Sequence, residues 1–132
     1  MSVPALEGWF SPLLRRNRKS FIIAVLALIA VLLASRLVID WVSKTSAGNA
    51  LWFWAFGVPS VICTYLLTAQ RLRDLNVSGW LALLWIPINA LDKSAAGYTL
   101  APVVLFLLSI IPGTKGPNSY GPDPLGSEAA LD

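Results

Sequence analysis

Residues 21–35 read FIIAVLALIAVLLAS and carry no charged side chain over fifteen positions. A run of about 20 apolar residues is long enough to cross the roughly 30 Å hydrocarbon core of a bilayer as a helix. The apolar sequence continues to about Val42, and no polar mature domain follows a small-residue cleavage site. We therefore predict an uncleaved first membrane span over residues 21–42 rather than a signal peptide.

The composition of the whole chain agrees with a membrane protein. Of the 132 residues, 56% are hydrophobic and 13% are charged, and the mean hydropathy is +0.67. In a typical soluble domain, about a quarter of the residues are charged. A chain this short also has too little interior to bury so much apolar surface. The sequence therefore predicts an all-α membrane protein with the lipid bilayer as its main partner.

Composition also argues against several classes of function. The chain has no histidine and one cysteine, Cys63, which excludes His/Cys zinc sites, Ser-His-Asp triads and Cys-His pairs. The net charge is +3, but the basic residues stand mostly beside apolar runs. That placement is typical of contact with anionic lipid head groups. We expect no nucleic-acid partner, no metal and no cofactor.

A second span is predicted from about Ala50 to Ala69, after a polar loop at 43–49. Gly57 and Pro59 lie inside this span and predict a kink, which membrane helices tolerate.

The region 79–112 leaves two arrangements open. It contains two short apolar stretches, 80–90 and 98–111, separated by a polar loop. One helix over the whole region would be about 50 Å long, too long for a single span. The region therefore forms either two short spans, giving about four transmembrane helices in all, or a re-entrant hairpin of two half-spans.

The distribution of basic residues predicts the topology. With four spans, seven of the flanking lysines and arginines fall on one side of the membrane and two on the other. The positive-inside rule then places both termini in the cytoplasm. We predict a basic N-terminal segment (1–20), a transmembrane helical domain (21–112) and a cytoplasmic Gly/Pro-rich C-terminal motif and tail (113–132).

Three segments gather on the predicted cytoplasmic face: RRNRKSF at 15–21, QRLRDLNVSGW at 70–80 and PGTKGPNSYGPDP at 112–124. They resemble the motifs of the DUF805 family of small bacterial inner-membrane proteins, over roughly residues 10–124. The resemblance implies a multi-pass protein of the bacterial inner membrane, and it implies no activity. Leu14 and Asn76 stand where the family has glycine, and Arg73 stands where it has histidine. Asn76 can still adopt a positive φ.

The same segments supply the candidate site residues. Arg71 and Asp74 are spaced i, i+3 and can form an ion pair at a helix end, and Ser78 can cap the helix that follows. The glycines of the tail could form either an anion-binding nest or a compact cap over the helix ends. In the cap, Asn118, Tyr120 and Asp123 would bond to Arg71, Arg73 or the N-terminal basic cluster, with Asp123 or Asp74 pairing with Arg71. The candidate site comprises Arg71, Arg73, Asp74, Ser78, Gly79, Trp80, Gly113, Gly116, Asn118, Tyr120, Gly121 and Asp123.

A charged pair also lies near the end of the first span. Arg36 and Asp40 are spaced i, i+4 on one helical face. They form either a local pair at the membrane interface or an intramembrane charge that marks a transport pathway.

These features favour a non-enzymatic membrane protein that binds or scaffolds an unidentified membrane or cytoplasmic protein through its cytoplasmic face. The alternative is a subunit of a transporter or channel, which would need a homo-oligomer to build a pore from four spans. A lipid-phosphate enzyme using Asp74 and Asp123 is the weakest reading, because nothing in the sequence fixes a metal geometry.

Overall fold

The computed structural model describes residues 14–87 and 100–125. Within these ranges it is helical. The α-helices are α1 (Arg18–Val42), α2 (Ser46–Trp52), α3 (Val58–Asp74) and α4 (Leu100–Ile110). A π-helical turn (Phe53–Gly57) joins α2 to α3, and a 3-10 helix (Gly79–Leu84) follows α3. The described ranges contain no strand; the only β-type pairing there is a single bridge between Asn118 and Gly121.

Helix α1 corresponds to the predicted first span. It begins at Arg18 because the side chain of Asn17 accepts a hydrogen bond from the Ser20 amide at 2.8 Å, which satisfies a free donor of the first turn. Its 25 residues span about 37 Å, enough to cross a bilayer core with a short extension at one end.

The connection to the next helix is shorter than the sequence predicted. The polar loop was expected over 43–49, but α2 already begins at Ser46. The hydroxyl of Thr45 accepts a hydrogen bond from the Gly48 amide at 3.2 Å and caps the new helix. This capping bond converts half of the predicted loop into helix.

The predicted interruption of the second span takes the form of a π-helical turn. Pro59 lies in the first turn of α3, where its ring would clash with a carbonyl one turn earlier in a regular α-helix. The wider turn at Phe53–Gly57 removes that conflict. The helix therefore runs from Ser46 to Asp74 without a break in the chain direction, over 29 residues.

Two helices, Arg18–Val42 and Ser46–Asp74, are long and apolar enough to cross a membrane. In each, only 6% of the most apolar window is buried inside the protein. A core helix of a soluble protein would bury most of that window, so these outward-facing apolar surfaces favour lipid as their solvent.

The third and fourth predicted spans are described only in part. The 3-10 helix and α4 have six and eleven residues. Helix α4 alone covers about 16 Å, half of a hydrocarbon core. The polar loop that would separate the two stretches falls at 88–99, outside the described residues, as does the choice between two short spans and a re-entrant hairpin.

The buried core lies at one end of the helices. Phe21 and Ala24 at the start of α1 pack with Leu67 near the end of α3 and Leu108 near the end of α4. A second cluster of Ala69, Ala82 and Trp85 lies against the same part of α3. This packing brings the N-terminus of α1 together with the C-termini of α3 and α4, where the three sequence motifs are located.

Candidate functional site

The site is built around the C-terminal end of α3. Asn76 adopts the left-handed conformation (φ 60°), as its glycine-like position predicted. The amide of Val77 donates to the Leu72 carbonyl at 2.9 Å, which closes the helix end in the manner of a Schellman motif. This reversal fixes the last turn of α3, and with it Arg71 and Asp74, relative to the segment that follows.

The carboxylate of Asp74 is buried and is shared by two arginines. Its Oδ1 accepts hydrogen bonds from Nη2 and Nε of Arg15, at 3.0 and 3.3 Å. Its Oδ2 accepts a hydrogen bond from Nη1 of Arg71. The side chains of Arg15, Asp74 and Arg71 are 2%, 5% and 0% exposed. The intra-helical pair was predicted from the sequence, whereas the participation of Arg15 was not.

The backbone of Asp74 holds the C-terminal motif. Its carbonyl accepts hydrogen bonds from both the amide and the hydroxyl of Thr114, each at 2.8 Å. Gly113 passes so close to the carboxylate that an added Cβ would overlap Asp74 Oδ2. The glycine is therefore required by close approach of two chain segments. We call Arg15, Arg71, Asp74 and Thr114 the Asp74 cluster.

Arg71 also closes the end of α4. Its Nε donates to the Leu108 carbonyl at 2.9 Å, and its Nη2 donates to the Ile111 carbonyl. The last carbonyls of a helix have no partner within the helix. A guanidinium placed there satisfies them and interacts favourably with the negative end of the helix dipole.

Arg15 binds the Gly/Pro-rich loop through backbone oxygens. Besides Asp74, it donates to the carbonyls of Thr114, Gly116 and Gly121, each at 2.9 Å. The planar fork of a guanidinium can satisfy several acceptors at fixed angles, which an ammonium cannot do. One side chain from the N-terminal segment thus organises a loop about one hundred positions away in the sequence.

The loop itself is closed by its own polar groups. Asn118 and Gly121 exchange backbone hydrogen bonds at 3.0 and 3.1 Å, with Gly121 at φ 131°. The carboxylate of Asp123 accepts from the amides of Leu125 and Gly116, at 2.9 and 2.7 Å. These two bonds lower the pKa of Asp123, with smaller help from the charge of Arg15. Gly116 adopts φ 76°, in the left-handed region, and its amide is the donor to Asp123 within the same loop.

Arg16 attaches the N-terminal segment to α3. Its amide donates to the Gln70 carbonyl at 3.3 Å, and its Nε donates to Gln70 Oε1 at 2.7 Å. Its Nη1 donates to the hydroxyl of Ser20 at 2.7 Å. Burial lowers the pKa of the Arg16 guanidinium. Arg15 and Arg16 belong to the basic cluster that the sequence offered both as a topology signal and as a partner of the tail, and the structure makes them part of the site.

Arg73 and the turn after it have a different environment. The guanidinium of Arg73 packs against Gly79, where an added Cβ would lie 2.8 Å from Nη2. Its Nη1 is buried without a hydrogen-bond partner in the described part of the protein. Trp80 is 72% exposed. Ser78 occupies the cap position of the 3-10 helix, but the predicted side-chain cap is wrong, since no such hydrogen bond forms.

Several predicted contacts of the tail are different from those observed. Asp123 does not pair with Arg71, because its oxygens are occupied by amides of its own loop. Asn118 reaches Arg73, but it donates to the backbone carbonyl at 2.8 Å rather than meeting the guanidinium. Tyr120 donates its amide to Asn118 Oδ1 at 2.8 Å, and its side chain is exposed. Of the tail acids and amides, none pairs with an arginine side chain within the described residues.

The signal that could have identified Arg15 and Thr114 lies in the motifs themselves. Both residues stand in segments that carry the family resemblance, Arg15 in RRNRKSF and Thr114 in PGTKGPNSYGPDP. Thr114 follows Gly113 in a Gly/Pro-rich bend, where threonine hydroxyls often bond to nearby backbone groups, so a bonding role for its hydroxyl was open to prediction.

The second charged pair is local. Arg36 Nη2 lies 2.7 Å from Asp40 Oδ1, and the two side chains are 39% and 45% exposed. The guanidinium also lies over the ring of Trp52, 5.5 Å from the ring centroid. These contacts join α1 to α2 near the end opposite the Asp74 cluster. The pair is therefore formed within α1 and is partly exposed, rather than enclosed among the described helices of this chain.

Cavities lie between the elements, and two of them are lined by described residues that bear on function. One, of about 240 Å³, is lined by apolar residues of α1 and α3 with Trp85 and Leu105. Its hydroxyl groups, Ser60 and Thr64, donate to carbonyls of their own helix. The other, of about 210 Å³, lies beside the Asp74 cluster and includes Arg18 and Lys115. Over residues 14–87 and 100–125, no three Asp, Glu or Cys side chains are grouped as a metal site would require.

Comparison with known proteins gives one match. The family model described as "Protein of unknown function (DUF805)" matches residues 9–122. Neither the search of curated proteins nor the search of solved structures found a match. The matched range contains the first two motif segments, the third as far as residue 122, and every member of the Asp74 cluster.

Proposed function

We propose that this chain, which belongs to the DUF805 family, is a non-enzymatic protein of the bacterial inner membrane that binds a partner protein through a rigid cytoplasmic platform. Both termini lie in the cytoplasm in this proposal, and residues 21–112 form the transmembrane part, with four spans. The three motif segments then meet on the cytoplasmic side.

The observation that carries the proposal is the closure of the Asp74 cluster. Each oxygen of the Asp74 carboxylate accepts from an arginine. Arg15 donates in turn to backbone carbonyls of the tail loop, and Arg71 donates to the carbonyls at the end of α4. Groups already bonded to the protein are poor candidates for acid–base chemistry, which needs a free carboxylate within reach of substrate. The same bonds give a well-defined shape to the loop, which favours recognition by reducing the entropy lost on binding.

The loop presents two large side chains outward from this frame. Tyr120 is 36% exposed and Leu125 is 53% exposed, on a segment held by Arg15 and by the Asn118–Gly121 bridge. Tyrosine is enriched among the residues that dominate binding energy at protein interfaces. We therefore expect the partner to contact the loop around Tyr120.

Site-specific photo-crosslinking in living cells tests this proposal. A photoreactive amino acid replaces Tyr120 in one variant and Trp41, which is 88% exposed at the opposite end of α1, in another. We expect a discrete cross-linked product from position 120 and not from position 41. The product should disappear when Asp74→Asn is added, because the loop then loses its frame. Absence of a product at 120, or the same product from both positions, would contradict the proposal.

A further inference from the structure

We propose that the cavity between the start of α1 and the tail loop binds a phosphate group, supplied by an anionic lipid head group or by free phosphate. The cavity measures about 210 Å³. One water occupies roughly 30 Å³ in the liquid, so a tetrahedral oxyanion with a few waters fits this space. The cation-bearing residues at its wall are Arg18 and Lys115.

The free hydrogen-bonding groups of the cavity are its cations. Two carboxylates, Asp74 and Asp123, also line it. All four of their oxygens already accept hydrogen bonds, from Arg15, Arg71 and two backbone amides. Arg18 and Lys115 make no hydrogen bond or ion pair within the described residues. The space is therefore lined by unpaired donors beside occupied acceptors, which is the arrangement that an anion requires.

The charge balance points to the same ligand class. The cavity wall carries Arg18 and Lys115 against the carboxylates of Asp74 and Asp123. Arg15 and Arg71, which bind Asp74 but do not line the cavity, bring the total around it to four positive charges against two negative ones. The surplus of two positive charges matches a phosphomonoester, which carries about −1.5 to −2 at pH 7, and exceeds that of a phosphodiester. The surplus of positive charge would repel a divalent cation. The carboxylate oxygens that could bind one already accept hydrogen bonds.

The position of the cavity favours the lipid source. It lies between residue 17, four positions before the apolar run of α1, and residue 112, two positions after the end of α4. Basic residues at that level of a membrane helix interact with head groups. This step rests on the proposed membrane location, whereas binding of free phosphate does not.

The inference is tested by measuring lipid binding to the protein in a neutral detergent. Native mass spectrometry detects the bound lipid, and the midpoint of thermal unfolding reports whether the lipid stabilises the protein. The probes are phosphatidylglycerol, phosphatidic acid and inorganic phosphate, with zwitterionic phosphatidylcholine as the reference lipid. The test variant is R18Q/K115Q. The matched control is K19Q/K44Q, which removes the same net charge from two exposed residues that do not line the cavity.

We expect phosphatidic acid, whose head group is a phosphomonoester, to bind the wild type more tightly than phosphatidylglycerol, a phosphodiester. Its binding should be equal in K19Q/K44Q and about tenfold or more weaker in R18Q/K115Q, since two charge-assisted hydrogen bonds are lost. Binding of inorganic phosphate alone, with the same dependence on the variants, would support the site and assign it to a soluble ligand. Equal weakening of lipid binding in both double variants would show that the effect comes from general surface charge, and it would overturn the proposal. Absence of binding to the wild type would overturn it too. Because Lys115 is exposed, K115Q alone serves as the folded test variant if the double substitution impairs folding.

Failure of this experiment is distinguishable from failure of the partner-binding proposal. Cross-linking from position 120 does not depend on Arg18 or Lys115. A cross-linked product in R18Q/K115Q cells together with absent lipid binding would retain the first proposal and remove the second.

Discussion

Replacing Asp74 with asparagine should destabilise the protein by about 3–5 kcal/mol, the range measured when one partner of a buried ion pair is removed. The substitution keeps the shape of the side chain but removes its charge. Arg15 occupies one carboxylate oxygen and Arg71 the other. Whichever way the new amide is oriented, its NH₂ group therefore faces a guanidinium donor, and two cations that are 2% and 0% exposed share no counter-charge.

The chain contains its own control for this prediction. Arg36 and Asp40 form a second Arg–Asp pair within one helix, but their side chains are 39% and 45% exposed. Exposed pairs contribute about 0–1 kcal/mol, because solvent screens them and two flexible side chains must be ordered. Asp40→Asn should accordingly cost less than about 1 kcal/mol. The chemistry of the two substitutions is identical, so the difference isolates burial and the additional partner Arg15.

The measurement is reversible unfolding in mixed detergent micelles, followed by tryptophan fluorescence and circular dichroism as the denaturing detergent is increased. The free energy of unfolding is extrapolated linearly for the wild type and both variants. Losses for Asp74→Asn and Asp40→Asn that agree within about 1 kcal/mol would refute the reasoning, because burial would then have no effect on the pair.

Three further outcomes are expected. Gly113→Ala should destabilise the protein in the same unfolding assay by about 1–3 kcal/mol, the cost of overpacking, because its Cβ would overlap the Asp74 carboxylate. The control is Gly57→Ala, whose added Cβ would meet no atom closer than 3.4 Å, and an equal loss there would argue against a special role for Gly113. Asn76→Ala should cost about 1 kcal/mol, since alanine at φ 60° is strained, while Asn76→Gly should be nearly neutral; equal losses would contradict this. The tail loop should become protease-sensitive as the pH falls below 3.8, the ordinary pKa of aspartate. The pKa of Asp123 is lowered in the folded state, so the charged carboxylate stabilises the loop above pH 3.8. This stabilisation is lost as the carboxylate protonates at lower pH. Asp123→Asn should remove this pH dependence of proteolysis, and an unchanged profile in that variant would assign the transition to another group.

The helices were the part of the fold that the sequence predicted best. The charge-free run at 21–35 specifies α1 almost directly, because its length and hydropathy are local properties. Asn76 was predicted in the left-handed region for a similar reason, since few side chains other than asparagine tolerate it. The start of α2 was predicted four residues too late, because the capping bond of Thr45 carries less signal than the polar composition of its loop.

The partners of the arginines were not predictable in the same way. Arg15, Arg16 and Arg18 form one basic cluster in the sequence, yet Arg15 binds the tail loop, Arg16 binds Gln70 and Arg18 lines a cavity. Their roles separate because α1 begins between them, after Asn17, so that the first two leave from extended chain and the third from helix. The choice of backbone carbonyls as acceptors adds to the difficulty, because every residue offers one and composition does not distinguish among them.

The contacts of Arg15 join distant parts of the chain, since residues 15 and 114 are 99 positions apart. During translation, Arg15 is synthesised long before the tail residues that accept its hydrogen bonds. During synthesis Arg15, Arg71 and Asp74 are all present while the carbonyls and hydroxyl of the tail are still absent, and the end of α4 has not yet formed. The cluster therefore closes as one of the last events of assembly, after the apolar segments have been synthesised. A chain truncated before Thr114 would keep every apolar helix yet leave three charged groups without their full set of partners, and we expect the cell's membrane proteases to distinguish it from the complete product on that basis.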